Sequence, residues 1–145
     1  MATVERFEEL EVWQEARKLA GEIYRVTERG GFARDYGMRD QIRRAAVSVM
    51  SNVAEGFERR SDREFARFLQ IAQGSAGEIR SVLYIARDVG YLEEKALEDL
   101  KNRSEQVSRR IARLASYLRK TAGKDRRKKG DQGSGDNAEP PKPNA

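Results

Sequence analysis

Basic side chains are concentrated towards the C-terminal end of the chain. Between Gln106 and Lys129, ten basic residues and one acidic residue, Asp125, give a local net charge of +9. The basic residues are Arg109, Arg110, Arg113, Arg119, Lys120, Lys124, Arg126, Arg127, Lys128 and Lys129. Guanidinium and ammonium groups bind phosphate oxygens, so this cluster favours contact with a nucleic-acid backbone. The alternative is a solvated helix end, because basic residues late in a helix also complement its dipole.

A second basic group lies near the middle of the chain. Its candidates for phosphate contact are Arg59, Arg60 and Arg63, with Arg43, Arg44 and Arg67 as weaker candidates. Arginines that lie outside an element that reads base edges in a groove bind the nucleic-acid backbone but do not distinguish between bases. We therefore expect binding that is led by phosphate and only weakly selective for sequence. An acidic or RNA-bound protein is the alternative partner for the same surface.

Small and polar residues interrupt an otherwise helical segment, "QIRRAAVSVMSNVAEGFERRS". At helical spacing, four of them form one polar stripe: Ser48, Ser51, Asn52 and Glu55. Ser and Asn cost a helix a few tenths of a kcal/mol each relative to Ala, and Gly costs about 1 kcal/mol. We interpret the stripe, and the small residues of "QGSAGE" at 73–78, as sites of close packing and buried hydrogen bonding between helices. A ligand site or the lining of an oligomer pore is the alternative.

The composition argues against most enzyme chemistry. The chain has no cysteine and no histidine, which removes thiolate nucleophiles, imidazole metal ligands and the usual near-neutral proton carrier. Helical bundles that hold two irons use Glu-x-x-His pairs, which this chain cannot form. No glycine-rich phosphate loop follows a strand pattern. We predict a protein that is not an enzyme and needs no cofactor or metal.

Four segments carry the apolar periodicity of amphipathic helices, at about 7–28, 38–58, 61–90 and 93–121. The last has an a/d heptad seam that runs from Leu97 to Leu118. Their lengths and short connections predict an all-α fold, an antiparallel up-down-up-down four-helix bundle over residues 1–122. Residues 123–145 lack Val, Ile, Leu and aromatic residues and hold all three prolines, so we predict a disordered basic and polar tail.

Local signals set the expected helix ends. The paired glycines of "RGGF" are expected to end the first helix, with a loop through Tyr36, and Gly90 and Gly123 to end the third and fourth. In "SDRE", Ser61 can cap the third helix while Glu64 reciprocates.

The bundle topology predicts where the charges meet. The turn between the second and third helices, the end of the fourth and the start of the tail share one pole. The acidic start of the first helix lies at the same pole and partly neutralises it, through Glu5, Glu8, Glu9 and Glu11. On the third helix, Ile71, Tyr84 and Ile85 lie away from the main apolar seam, so we expect self-association through that face.

The N-terminal segment has charges from Glu5 onward and no apolar stretch of signal-peptide length. No uncharged run approaches the roughly 20 residues of a membrane helix. We expect a cytoplasmic protein without a membrane partner.

The blocks "SNVAEG" and "EFARFLQIAQGS", with "FEELEVWQEARKLAGEIYR" before them, resemble a known family. It is the four-helix-bundle family first noticed as open reading frames in intervening sequences of bacterial 23S rRNA genes. The accessory variability proteins of diversity-generating retroelements are grouped with it. The resemblance covers about residues 7–122. One departure is Met50, at a position where the family often has proline.

The resemblance implies a homopentameric barrel of four-helix bundles without known enzymatic activity. For the retroelement members, it implies an accessory role in which the basic pentamer binds nucleic acid and a reverse transcriptase. Many members encoded elsewhere have no assigned role, so fold transfers more safely than function. The alternative is a protein-interaction scaffold with no nucleic-acid role.

Overall fold

The computed structural model describes residues 3–130, with side chains as far as Lys124. A short 3-10 helix, Phe7–Glu9, precedes five α-helices. They are α1 (Glu11–Val26), α2 (Gly30–Arg34), α3 (Tyr36–Glu58), α4 (Asp62–Asp88) and α5 (Glu94–Gly130). The part of the chain that the structure describes contains no strand, so the predicted all-α fold is confirmed.

The four long helices pack as an antiparallel bundle. Between α3 and α4, Gln41 lies against Glu78 and Ser48 against Ser75, so the two helices run in opposite directions. Between α4 and α5, Gln73 contacts Ser108 and Asp62 contacts Thr121. Two ion pairs, Glu22 with Arg103 and Glu11 with Arg110, show that α1 and α5 are also antiparallel.

The apolar stripes meet in one core. The largest buried side chains of α1, α3 and α4 include Leu19, Ile42 and Ile79. The predicted seam of α5 is buried from Leu97 to Leu118 except at Leu114, which is partly buried against the core. Its Ser104 donates a hydrogen bond to the Ala76 carbonyl at 3.1 Å. The α5 heptad pattern therefore identified the residues that pack inside.

The predicted end of the fourth helix at Gly123 is wrong, because α5 continues to Gly130. Gly123 lacks the positive φ that a left-handed glycine cap requires, whereas Gly90, after α4, has a φ of 85°. A glycine inside a helix costs only about 1 kcal/mol, and the lysines and arginines that follow are good helix formers. Residues 131–145, which complete the predicted tail, lie outside the described residues.

The segment "RGGF" begins a helix where the sequence predicts a loop. Gly30 has a φ of 59° and starts α2, whose Phe32 is buried with its ring centroid 5.6 Å from that of Tyr91. The Tyr91 hydroxyl donates to Asp35 at 3.0 Å, and this hydrogen bond raises the pKa of Tyr91, with desolvation adding to it. Aromatic packing thus orders a segment that glycine content alone would leave irregular.

The starts of α3 and α4 are fixed by side-chain caps. Asp35 accepts from the Met38 amide at 3.1 Å, so α3 starts at Tyr36, two residues before its predicted start, and runs unbroken through Met50. Ser61 accepts from the Glu64 amide at 3.3 Å, which confirms the predicted cap of α4. The expected reciprocal contact of Glu64 is not formed, because its carboxylate lies 3.5 Å from Arg67, an oppositely charged partner one turn away.

Gly56 lies at a close contact between α3 and α4. A Cβ atom at this position would lie 2.7 Å from Phe68 Cβ and 2.9 Å from Phe65 Cδ1. Gly74 differs, because a Cβ there meets nothing within 4 Å in this chain. Within the bundle, the close-packing interpretation therefore holds for Gly56 and is wrong for Gly74, which lies on the exposed face of α4.

We expect Gly56→Ala to destabilise the bundle by about 1–3 kcal/mol, because the new methyl group overpacks the α3–α4 contact. Gly74→Ala is the matched control and should stabilise the same fold by up to about 1 kcal/mol through helix propensity. Urea unfolding of both variants measures the difference. Equal changes in the free energy of unfolding would contradict the close-contact assignment.

Candidate nucleic-acid interface

The turn from α3 to α4 carries an arginine in an unfavourable backbone conformation. Arg60 has a φ of 57°, in the left-handed region, and its amide donates to the Phe57 carbonyl at 3.3 Å. For an L-residue other than glycine, this conformation costs about 1–2 kcal/mol. Glycine would adopt this conformation without that cost, so Arg60 adds backbone strain to the turn.

Phenylalanine rings support the guanidinium groups around this turn. The Cζ atoms of Arg59 and Arg67 lie 5.1 and 5.2 Å from the centroid of the buried Phe68 ring. Arg60 lies 5.1 Å from the Phe57 centroid. Cation–π contact restricts an arginine while its N–H donors stay available. The turn therefore presents three partly ordered positive charges.

An open groove of about 610 Å³ lies between the first turns of α4 and residues 119–123 of α5. Its lining includes four arginines, Arg60, Arg63, Arg67 and Arg119. Asp62 is the one carboxylate residue among its described lining residues. Asp62 Oδ2 accepts from the Thr121 hydroxyl at 2.6 Å, which fixes α5 against the start of α4. The groove thus carries an excess of positive charge between two firmly joined helices.

Four more basic residues follow one exposed face of α5, which we call the outer face of α5. They are Arg109, Arg113, Lys120 and Lys124. Their spacings of four, seven and four residues align them at 3.6 residues per turn. Within the described residues, none of them forms an ion pair. Their charges are therefore available to a ligand.

Some predicted candidates are engaged elsewhere. Arg110 pairs with Glu11 at 2.8 Å, so the acidic start of α1 neutralises this arginine. Arg59 pairs with Glu55 one turn earlier at 3.1 Å. Both pairs are solvent-exposed, and such pairs contribute about 0–1 kcal/mol, so a phosphate can compete for either arginine. The backbone of α5 includes residues 126–129, and their four basic side chains lie outside the described part of the structure.

The three weaker candidates for phosphate contact lie in three different parts of the bundle. Arg67 lines the groove. Arg43 stacks on Tyr24 at 4.5 Å and donates to Thr27 Oγ1 at 2.8 Å, so it joins α3 to the end of α1. Arg44 is exposed and lines a shallow groove beside Ser51, away from the arginine groove.

The polar stripe divides between contact and exposure. Ser48 Oγ lies 2.8 Å from Ser75 Oγ, across the α3–α4 interface. Asn52 Nδ2 donates to the Ser48 carbonyl at 2.8 Å and to Ser48 Oγ at 3.0 Å. Ser51 and Glu55 are exposed on the same helix. The two partly buried residues of the stripe, Ser48 and Asn52, thus form hydrogen bonds with neighbouring polar groups.

Sequence reasoning missed Gln70 as part of the groove. It follows Arg63 and Arg67 at i+7 and i+3, on the same face of α4. That spacing is visible in the sequence and could have identified it. An amide side chain beside arginines adds both a donor and an acceptor for a nucleotide.

Among the side chains of residues 3–124, the structure shows no group of three or more acidic residues that could hold a metal ion. Within the same residues, no helix combines the length and apolar composition needed to cross a membrane.

A model of the family described as 23S rRNA-intervening sequence protein matches residues 8–113. No curated protein matches the chain significantly. Among solved structures, the fold is similar to that of a protein of unknown function from the S23 ribosomal protein family of Bacteroides thetaiotaomicron. The two are 21% identical with a TM-score of 0.65, and the match covers 72% of this chain and 97% of the other. The family model matches more than half of this chain, so the chain belongs to the 23S rRNA-intervening sequence protein family.

Proposed function

We propose that this protein is a non-enzymatic, basic accessory protein that binds the phosphate backbone of RNA or DNA. The observation that carries the proposal is the groove between α4 and α5. Its described lining brings together Arg60, Arg63, Arg67 and Arg119 with one carboxylate residue, Asp62. Arginine binds phosphate oxygens through paired N–H donors, and four guanidinium groups in one groove suit a polyanion.

The outer face of α5 extends the basic surface beyond the groove. Phosphate contacts of this kind release counterions, so affinity rises with the number of neutralised phosphates and falls steeply with salt. No element of the described bundle has the form of a groove-reading module with its own base contacts, which favours weak sequence selectivity.

Self-association is part of the proposal. Ile71 and Ile85 are 45% and 46% exposed on α4, and Gly74 lies on the same face with open space around it. A second copy of this bundle suits that apolar face, and the family resemblance suggests a pentamer. Repetition of the arginine groove around such an assembly would increase avidity without new contacts.

A reverse transcriptase partner, as in diversity-generating retroelements, rests on the family resemblance alone. The cytoplasmic location that we propose for this protein rests on its charged N-terminal segment, which lacks an apolar stretch of signal-peptide length. The alternative function is a protein-interaction scaffold, in which the basic surface docks an acidic protein. This alternative is supported by the exposed pair of Glu11 with Arg110, in which a carboxylate of the same chain lies against a basic residue of the cluster.

Fluorescence anisotropy with a structured RNA and a DNA of matching sequence, titrated across salt concentration, tests the proposal. With about six phosphate contacts, the association constant should fall about 1000-fold between 50 and 200 mM salt. A chain ending at Ala122 loses Lys124 and the four basic residues of 126–129, and it should bind more weakly with a shallower salt dependence.

A chain ending at Gly130 is the matched control, because it keeps α5 and every basic residue of the cluster. It should bind like the full chain. Absence of binding to both nucleic acids at low salt would contradict the proposal and favour the scaffold.

A further inference from the structure

We propose that Tyr117 is a base-stacking platform, and that the outer face of α5 therefore prefers single-stranded nucleic acid to a duplex. This inference rests on the proposed function and specifies its ligand. Tyr117 is 54% exposed in the middle of α5, with Arg113 four residues before it and Lys120 three residues after it.

Tyr117 differs from the other four tyrosines in having no partner among the described residues. Arginines cover the rings of Tyr24 and Tyr36 at 4.5 and 4.7 Å. Tyr84 lies against Arg87 at 5.5 Å and Lys101 at 5.8 Å. Tyr91 is hydrogen-bonded to Asp35.

Among the described side chains, which extend to Lys124, Tyr117 therefore has neither a cation over its ring nor a side-chain hydrogen bond. No contact of these kinds within the described bundle explains why the ring lies exposed on α5.

The surroundings of the ring suit a polyanion. At helical spacing, Tyr117 shares the outer face with Arg113, Lys120 and Lys124, and these three cations span about 16 Å along the axis. No acidic residue occurs in residues 106–124. A strand lying along α5 can place phosphates on the cations before and after the ring while one base covers the ring.

Such an arrangement selects single strands for a geometric reason. In a duplex, each base face is already covered by its neighbours, whereas an unpaired nucleotide can present its face to an aromatic side chain. Stacking tolerates every base, which agrees with a surface that lacks base-specific donors and acceptors. The cations bind both forms, so Tyr117 provides the discrimination.

The test uses the full chain and three labelled probes. They are an oligothymidylate, an abasic strand with the same number of phosphates, and a DNA hairpin. Tyr117→Leu keeps apolar bulk without a π face, Tyr117→Phe keeps the face, and Arg113→Gln removes one charge. Anisotropy titrations at several salt concentrations give the affinity and the salt slope for each pair.

We expect Tyr117→Leu to weaken oligothymidylate binding about 10-fold, within the range measured for loss of one stacked base. Its affinity for the abasic strand and the hairpin, and its salt slope, should remain those of the wild type. Tyr117→Phe should bind all three probes like the wild type. Arg113→Gln should weaken all three and reduce the single-strand slope by about 0.7.

If Tyr117→Leu leaves oligothymidylate binding intact while Arg113→Gln weakens every probe, stacking is wrong and backbone binding stands. Equal losses on the abasic strand would also overturn stacking. A changed oligomer mass of Tyr117→Leu in light scattering would assign the ring to a contact between copies and overturn the proposal. If the wild type binds none of the probes, the proposed function fails first and stacking fails with it.

Discussion

Ile79→Asp is expected to unfold the bundle. Ile79 is fully buried in α4 and belongs to the single core formed by the long helices. Removing a buried aliphatic side chain costs about 2–5 kcal/mol, and an unpaired carboxylate at the same place adds the cost of burying a charge. Domains of this size have a total stability of about 5–15 kcal/mol, so little or none remains.

Circular dichroism during thermal and urea unfolding measures this effect. A buried carboxyl group has its pKa raised above the value in the unfolded chain, so the protonated form is favoured in the folded state. The destabilisation should therefore diminish as the pH falls towards about 4. A variant that melts cooperatively near the wild-type temperature at neutral pH would contradict the core assignment.

Ile71→Asp provides the matched control on the same helix. Ile71 is 45% exposed, so the new carboxylate stays hydrated and the free energy of unfolding should change by about 0.5 kcal/mol or less. If α4 also packs against a second copy, this variant loses oligomer mass while its helical content is retained. Core and assembly effects are thereby separated with one residue type.

Apolar periodicity predicted the helices because burial of a regular stripe dominates their stability. The seam of α5 is an example, since Val107, Ile111 and Leu118 are buried as their spacing indicates. Glycine signals were less reliable. Gly90 ends α4 through its left-handed backbone, whereas Gly123 adopts the helical conformation of its neighbours. A glycine permits a helix end, and the residues around it decide whether the helix stops.

The candidate site was predictable as far as topology determines it. Antiparallel order brings Arg63 of α4 and Arg119 of α5 to one groove, as the connection lengths predict. Side-chain pairing was not predictable, because Arg109 and Arg110 are neighbours in sequence but lie about 100° apart around the helix. Only Arg110 faces α1 and meets Glu11. Sequence charge runs therefore overestimate the charge that one surface presents.

Neutralising the groove with Arg63→Gln, Arg67→Gln and Arg119→Gln together is expected to weaken nucleic-acid binding about 100-fold at low salt. Three phosphate contacts are removed, so the salt slope for a duplex should become shallower by about 2–3. Glutamine keeps much of the side-chain length, and Arg67 loses only its exposed pair with Glu64 at 3.5 Å and its contact with the Phe68 ring. The helical circular dichroism signal should be that of the wild type, because exposed substitutions of this kind change stability little.

The matched control replaces Arg25, Arg29 and Arg34 with glutamine at the opposite pole, where α1 ends and α2 begins. All three are exposed, and both triple variants lower the net charge from +5 to +2. If the groove binds phosphate, the control weakens binding only slightly, because a distant charge is screened beyond about 10 Å at 0.1 M salt. Equal losses in the two variants would mean that overall charge, and not the arginine groove, governs the affinity.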